Sequence, residues 1–105
     1  MENFTSAEFT LDKDVKKGDM ESLLSLFSFK DRTKHMEILL DVDEGQPVKV
    51  VLEGLGETEL KLGADMEKGD RKTIMTLFWM PEKSRLFEIK RNAHAGEKVI
   101  INMLH

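Results

Sequence analysis

The residues of this chain best suited to chemistry are carboxylates in short loops. Segment 41–45 reads Asp-Val-Asp-Glu-Gly, and carboxylates two residues apart resemble the start of a calcium-binding loop. Further aspartates lie at matching places in two other loops, and carboxylate oxygens suit Ca²⁺ or Mg²⁺. The six candidate cation ligands are Asp14, Asp19, Asp41, Asp43, Asp65 and Asp70.

The same carboxylates have a simpler interpretation. Segment 41–45 is not followed by the remaining ligands of a calcium loop, and the matching place in the second half of the chain carries Asn92 and His94. Aspartates in loops commonly accept hydrogen bonds from main-chain N–H groups. We therefore expect charged hairpin tips and self-capped loops, with cation binding as the alternative.

Other reactive constellations are missing from the sequence. The chain has no cysteine, which excludes disulfides, thiolate metal sites and cysteine nucleophiles. Its three histidines, His35, His94 and His105, lack the i, i+4 spacing of a helical zinc pair. There is no Walker loop, G-x-G-x-x-G or G-x-S-x-G motif. We expect no cofactor and favour a protein without enzymatic activity, although an enzyme of unfamiliar type stays open.

The most informative pattern is an internal similarity at an offset of 51 residues. Ten of the 31 residues in 8–38 are identical to their counterparts in 59–89, without a gap. This similarity predicts two tandem copies, at about 4–54 and 55–105. A unit of about 50 residues without a disulfide or metal is marginal alone. The copies should therefore share one core in a single domain, residues 1–105, around an approximate two-fold axis.

Alternating apolar residues predict strands in both copies. Each copy is predicted to be a short strand followed by a three-stranded meander, with Gly45 and Gly96 in matching hairpin turns. The fold class is then all-β, with about eight strands in a β-sandwich or closed barrel. Besides the second strand of each copy, the predicted strands cover 8–11, 34–41, 48–53, 59–62, 85–91 and 99–104.

The second strand of each copy, 19–29 or 70–80, is the ambiguous element. Met20, Leu23 and Phe27 fit a helical stripe, whereas the residues from Thr73 onward are β-branched and aromatic. We predict strands in both segments. The alternative is an α+β fold with one helix per copy at these positions.

A strand that is apolar on both faces must be covered on both. In a two-layer domain only one face meets the core, so the other face would be covered by the N-terminal stretch or by another chain. We therefore predict an interaction surface that joins these segments to nearby positive charge. Its members are Leu23, Phe27, Phe29, Ile74, Phe78, Trp79, Met80, Arg85, Lys90 and Arg91.

Composition limits the function classes. The chain is 40% hydrophobic and 34% charged, with a net charge of −4, which is typical of a globular domain and argues against a general nucleic-acid binder. No apolar run is long enough for a membrane span, and we expect no signal peptide and a cytoplasmic location.

We expect a non-catalytic β-rich module for protein interaction or assembly, with a second copy of itself as partner. The alternative is a small-ligand or cation binder that uses the aspartate loops near the two-fold axis.

Overall fold

A computed structural model gives the fold and describes residues 4–27, 35–79 and 86–104. Within these ranges the chain forms strands and loops, and its only α-helices are two single turns. The all-β class is therefore confirmed. The elements are β1 (Phe4–Thr10), β2 (Met20–Glu21), α1 (Leu23–Leu26), β3 (His35–Glu37), β4 (Pro47–Leu52), β5 (Gly56–Leu62), β6 (Arg71–Thr73), α2 (Ile74–Leu77), β7 (Phe78–Trp79), β8 (Phe87–Glu88) and β9 (Lys98–Leu104).

The largest sheet is antiparallel and has the strand order β1-β9-β4-β5-β7. Side chains alternate along its strands: Val48, Val50 and Leu52 of β4 are buried, whereas Pro47 and Lys49 are exposed. One face of the sheet therefore lies against the core and the other faces water. The alternation predicted for the remaining long strands is confirmed by the burial of Phe9, Leu60, Leu62, Val99, Ile101 and Met103.

Two short ribbons complete the core. β2 pairs with β8, and β3 pairs with β6, both antiparallel. Along the predicted strands 34–41 and 85–91, the alternating residues Met36, Ile38, Phe87 and Ile89 are buried in the same hydrophobic cluster as the inner face of the sheet, and Leu40 is partly buried against it. Among the described residues the sheets remain open, with β1 and β7 at the edges of the largest, so the closed barrel is not formed.

The meander predicted within each copy is wrong. β3 pairs with β6, and β4 lies between β9 and β5. In the part of the chain that the structure describes, every ladder of three or more residue pairs joins residues 4–54 to residues 55–104. Alternation decides which face of a strand is buried but not which strand lies beside it. Here the neighbours come from the other half of the chain.

The strand prediction for segment 19–29 is wrong in its middle, where α1 forms one helical turn. Ser22 precedes this turn, and its hydroxyl accepts a hydrogen bond from the main-chain N–H of Ser25 at 3.3 Å. The Ser25 hydroxyl in turn accepts from the main-chain N–H of Ser22 at 3.0 Å. This reciprocal capping stabilises the helical turn.

Segment 70–80 is interrupted in the same way by α2. The hydroxyls of Thr73 and Thr76, at the places that match Ser22 and Ser25, lie 3.1 Å apart. The strand prediction is correct for β6 and β7 and wrong for the four residues between them. The alternative, an α+β fold with one helix per copy, is wrong in its class: each segment does contain a helix, but it is only four residues long.

These helical turns change which residues are buried. Leu23, Leu26 and Phe27 are all in the core, at 3% exposure or less, and so are the matching Leu77 and Phe78. Within the described parts of segments 19–29 and 70–80, no strand has buried apolar residues on one face and exposed apolar residues on the other. The reason for expecting a cover over a strand that is apolar on both faces is therefore lost.

A tight turn, residues 53–55, connects β4 to β5 and thereby joins the two halves. Gly54 has φ +73°, a conformation that L side chains rarely adopt. A Cβ on Gly56 would lie 2.8 Å from the ring of Phe87, so glycine is needed there for close packing. Leu55 is fully buried between these glycines. The connection is thus packed against the second half.

Candidate interaction surface and loop clusters

Loops of the two halves meet in two places. The first loop cluster consists of residues 12–19 and 92–97. Its main chain is held by the antiparallel bridge between Val15 and Ala93. The Asp14 carboxylate accepts a hydrogen bond from the Ala95 N–H at 2.8 Å, across 81 residues of sequence. A carboxylate of the first half thus holds a hairpin of the second.

The second loop cluster consists of residues 41–46 and 63–70. Val42 and Met66 form its bridge. The Asp65 carboxylate accepts a hydrogen bond from the Glu44 N–H at 2.7 Å. Each of these residues lies 51 positions from its counterpart in the first loop cluster. The same set of contacts is therefore made twice, with the halves in exchanged roles.

Further side-chain acceptors extend this match. Lys17 donates its main-chain N–H to the Asn92 amide oxygen at 2.8 Å, and Lys68 donates to the Asp41 carboxylate at 2.9 Å. Within each loop the final aspartate caps the turn. Asp19 accepts from the Lys16 N–H at 2.9 Å, and Asp70 accepts from the Glu67 N–H at 3.0 Å.

The predicted cation ligands are divided between the two loop clusters. Asp14 and Asp19 lie in the first, and the other four aspartates lie in the second. Five of the six accept main-chain hydrogen bonds, as described above, and the carbonyl of the remaining one, Asp43, accepts from the Gln46 N–H. Among the described residues, no group of three or more acidic, histidine or cysteine side chains is placed to hold a metal ion.

The two loop clusters differ strongly in charge. The first carries four acids and three bases, a formal charge of −1 with histidine neutral, whereas the second carries six acids and one base, a formal charge of −5. Since the main-chain contacts match, the difference lies in side chains that project into water. Three acids of the first half and three of the second are thus gathered at one place.

Glu97 is the one described residue whose pKa clearly departs from its ordinary value. Its carboxylate accepts the His94 main-chain N–H at 2.8 Å, and the Arg91 guanidinium lies 3.0 Å away. These contacts hold the pKa of Glu97 below 4.5, with the main-chain hydrogen bond the larger cause. The matching residue in the second loop cluster is the uncharged Gln46.

The predicted interaction residues are placed as follows. Leu23, Phe27 and Phe78 are buried in the core of the single chain and do not lie on its surface. Lys90 is exposed and forms an ion pair with Glu88 at 3.2 Å. Arg91 is half-buried, bound to Glu97 and the Asn92 carbonyl. Phe29, Met80, Arg85 and the side chains of Ile74 and Trp79 lie outside the described residues.

Sequence reasoning missed a different apolar surface. Met20 is 54% exposed and Leu86 is 49% exposed. Met20 lies opposite Glu88 in the β2·β8 ribbon, and Leu86 is two residues before Glu88, so both side chains lie on the outer face as diagonal neighbours. We call this pair, with Glu88 between them, the β2·β8 face.

A signal for this face was present in the sequence. The residues that match Met20 and Leu86 in the other half are Arg71 and His35. Ile100, the other large apolar side chain that is clearly exposed in the described ranges, matches Lys49. In these three cases, an apolar residue in one half that has a polar residue 51 positions away in the other half is exposed.

Glu88 and Lys90 give the β2·β8 face a charge of each sign, paired at 3.2 Å. Glu21, which pairs with Lys13 at 2.7 Å, lies opposite the buried Phe87 and therefore on the other side of β2. The corresponding β3·β6 ribbon instead presents His35, Glu37 and Arg71 to the outside. The two ribbons thus share a backbone pattern but expose different chemistry.

A cavity of about 410 Å³ lies beside the second loop cluster. It is lined by Glu44, Gly45, Lys61, Leu62 and Gly63. Glu44 and Lys61 contribute one charge of each sign, so the lining does not favour one sign of ligand.

No protein-family model, curated protein or solved structure matches this chain. No helix in the described ranges is long and apolar enough to cross a membrane.

Proposed function

We propose that this protein is a non-catalytic module for protein interaction that self-associates through the β2·β8 face. The observation that carries the proposal is the exposure of Met20 and Leu86, which occupy diagonal positions on the outside of the β2·β8 ribbon and are each about half exposed. Water contact with large apolar side chains is unfavourable, and their burial against another chain is stabilising. Adjacent exposed apolar side chains commonly mark such contacts.

The charges around this face favour a second copy as the partner. Glu88 and Lys90 place one acid and one base on this side of the ribbon, with Nζ and Oε2 3.2 Å apart. In a two-fold contact, the acid of each copy can approach the base of the other while Met20 and Leu86 pack at the centre. A strongly acidic or strongly basic partner would bind this surface less favourably, because it would be repelled by one of the two charges.

The proposal is tested with residues taken from the other half of the chain. Met20→Arg and Leu86→His introduce the residues found at the matching positions 71 and 35, which the same ribbon geometry tolerates. Sedimentation equilibrium up to high micromolar concentration should give a dimer for the natural chain and a monomer for the double variant. Ile100→Lys, an exposed substitution on the largest sheet, serves as the control and should keep the dimer.

Two results would overturn the proposal. One is a natural chain that stays monomeric throughout the concentration range. The other is a double variant that associates as strongly as the natural chain while circular dichroism shows both folded.

We also propose that the chain arose by tandem duplication and that its halves are related by a pseudo-two-fold axis within one domain. The paired bridges and the matching aspartate contacts, offset by 51 residues, support this proposal. The axis would pass between β4 and β9, where Val51 lies opposite Asn102. These two residues are themselves 51 positions apart.

A circular permutant tests the duplication. Leu52 lies opposite Gly56 across the turn 53–55, and the matching pair in the other half is Met103 and Thr5. Joining residue 105 directly to Phe4, with glycine in place of His105, would recreate the three-residue turn. The new ends are placed between Gly54 and Leu55. We expect the permutant to fold with a similar circular dichroism spectrum and cooperative unfolding, and a permutant that does not fold would contradict the symmetry.

A further inference from the structure

We infer that the chain can assemble by exchanging its halves, so that residues 4–52 of one chain pair with residues 56–104 of another. The inference does not depend on the β2·β8 face. It rests on the distribution of strand pairing between the halves. The partner is a second copy of this chain.

Strand pairing between the halves far outweighs pairing within them. The ladder between β1 and β9 has seven residue pairs, that between β4 and β5 has six, that between β4 and β9 has four, and that between β3 and β6 has three. All of these join the two halves. Within a half, the described pairing is limited to the two pairs between β5 and β7 and the bridge between Leu11 and Phe27.

The loop clusters add to the same imbalance. The bridges Val15–Ala93 and Val42–Met66 both cross between the halves. The hydrogen bonds of Asp14 and Asp65 to main-chain N–H groups do so as well. A half on its own therefore lacks partners for its main-chain groups and its apolar face, and any available second half supplies them. The surface of exchange is the whole set of contacts between the halves.

The three-residue turn 53–55 keeps these contacts within one chain under dilute conditions. A short connection gives the second half an effective concentration of roughly millimolar. Pairing between chains therefore competes with pairing within one chain only in concentrated solution, or when the turn cannot close. Removal of Gly54 and Leu55 leaves one residue between Leu52 and Gly56, which cannot close a hairpin of this register. Exchange of halves keeps every ladder in that case, because β4 then pairs with β5 of the other chain and no tight turn is needed between them.

The first experiment uses this deletion. The chain without Gly54 and Leu55 should be a dimer at micromolar concentration, with twice the 12.1 kDa mass of one chain by light scattering. The matched control inserts two glycines after Gly54, which relaxes the turn and should give a monomer at the same concentration. A folded monomeric deletion variant would overturn the inference. Should the deletion variant fail to fold, the second experiment decides.

The second experiment keeps the natural turn and uses the absence of cysteine. Glu8 lies opposite Ile100 across β1 and β9. The Ile100 carbonyl accepts from the Glu53 N–H, so its main-chain groups face β4, and Glu8–Ile100 is a non-hydrogen-bonded pair whose side chains are close enough for a disulfide. Chains with Glu8→Cys alone and with Ile100→Cys alone are unfolded, mixed near millimolar concentration, refolded and oxidised.

Exchange of halves places the two cysteines together in different chains, so a disulfide-linked heterodimer is expected. The control mixes the same variants after each has refolded separately at low concentration, and its heterodimer yield should be at least several-fold lower. A chain that carries both substitutions confirms that the pair can form a disulfide, and Thr10→Cys with Lys98→Cys is a second pair in the same register. Yields that are equal in the two mixtures would overturn the inference. Association through the β2·β8 face leaves these cysteines apart and is thereby distinguished from exchange.

Discussion

The two loop clusters have the same main-chain bonding and very different charge. In each, an aspartate accepts an N–H from a hairpin of the other half, and a buried apolar pair forms the bridge below it. Yet one carries a formal charge of −1 and the other −5. The comparison teaches that a few acceptors and apolar contacts fix this geometry, while the exposed charges vary freely around it.

The largest expected difference comes from the buried bridges. Met66 in the second loop cluster occupies the place of Val15 in the first, and both are 2% exposed. Met66→Ala should cost about 2–5 kcal/mol of unfolding free energy, because it leaves a larger cavity. Val15→Ala should cost less, about 1.5–3 kcal/mol, since it removes two side-chain heavy atoms and Met66→Ala removes three. Urea denaturation of both variants measures the two losses. A loss for Met66→Ala that does not exceed that for Val15→Ala would show that the clusters are packed differently.

The aspartates that cross between the halves test the hydrogen bonds. Asp14→Ala and Asp65→Ala should each cost about 0.5–1 kcal/mol, since each leaves an exposed N–H to water. The loss for Asp65→Ala should be the smaller, because the substitution also relieves repulsion in the acidic second loop cluster. Unfolding at low salt and at about 1 M salt separates the two effects, since screening should bring the two losses together. A gap that persists in high salt would contradict the electrostatic explanation.

The effect of the charge difference is tested by substituting each of two matching residues, Glu44 and Ala95, with the other. Glu44→Ala gives the second loop cluster the residue that stands at Ala95 in the first. We expect a gain of a few tenths of a kcal/mol at low salt, which disappears in high salt. The reverse substitution, Ala95→Glu, should have a smaller effect because the first loop cluster is nearly balanced. Thermal unfolding at two salt concentrations measures both. A loss of stability for Glu44→Ala would indicate that its side chain makes a favourable contact.

Local patterns predicted burial well and pairing poorly, for physical reasons visible in particular residues. The alternation of Val48, Val50 and Leu52 depends only on the period of a strand, so their burial could be read directly. The pairing of β3 with β6 joins residues that are far apart in the sequence, such as His35 and Thr73, and therefore leaves no local signal.

The helical turns and the exposed apolar face each have a recognisable pattern in the sequence. Ser22 and Ser25 stand at the spacing of a capping box, which favours a turn over a continuous strand. The residues 51 positions from Met20 and Leu86 are the charged Arg71 and the polar His35. The aspartate loops form the main-chain hydrogen bonds that local reasoning expects, since five of the six aspartates accept an N–H through the carboxylate.

The smallest effect concerns pH, and it separates Glu97 from the matching Gln46. Because the folded pKa of Glu97 lies below 4.5, its ionised form stabilises the fold above that pH. This contribution is lost as the pH falls below 4.5 and through the folded value. Glu97→Gln should therefore flatten the loss of stability on acidification and leave its slope above pH 5 unchanged. Urea unfolding across this range measures the slope.

Arg91→Met sharpens the same comparison, since it removes the guanidinium beside Glu97 but keeps the larger cause, the His94 main-chain N–H. Its acid slope should lie between those of the natural chain and of Glu97→Gln. An acid slope equal to that of Glu97→Gln would instead assign the shift to Arg91. The first loop cluster would then depend on an ion pair for which the second, with Gln46 in this position and Leu40 in place of the arginine, has no counterpart.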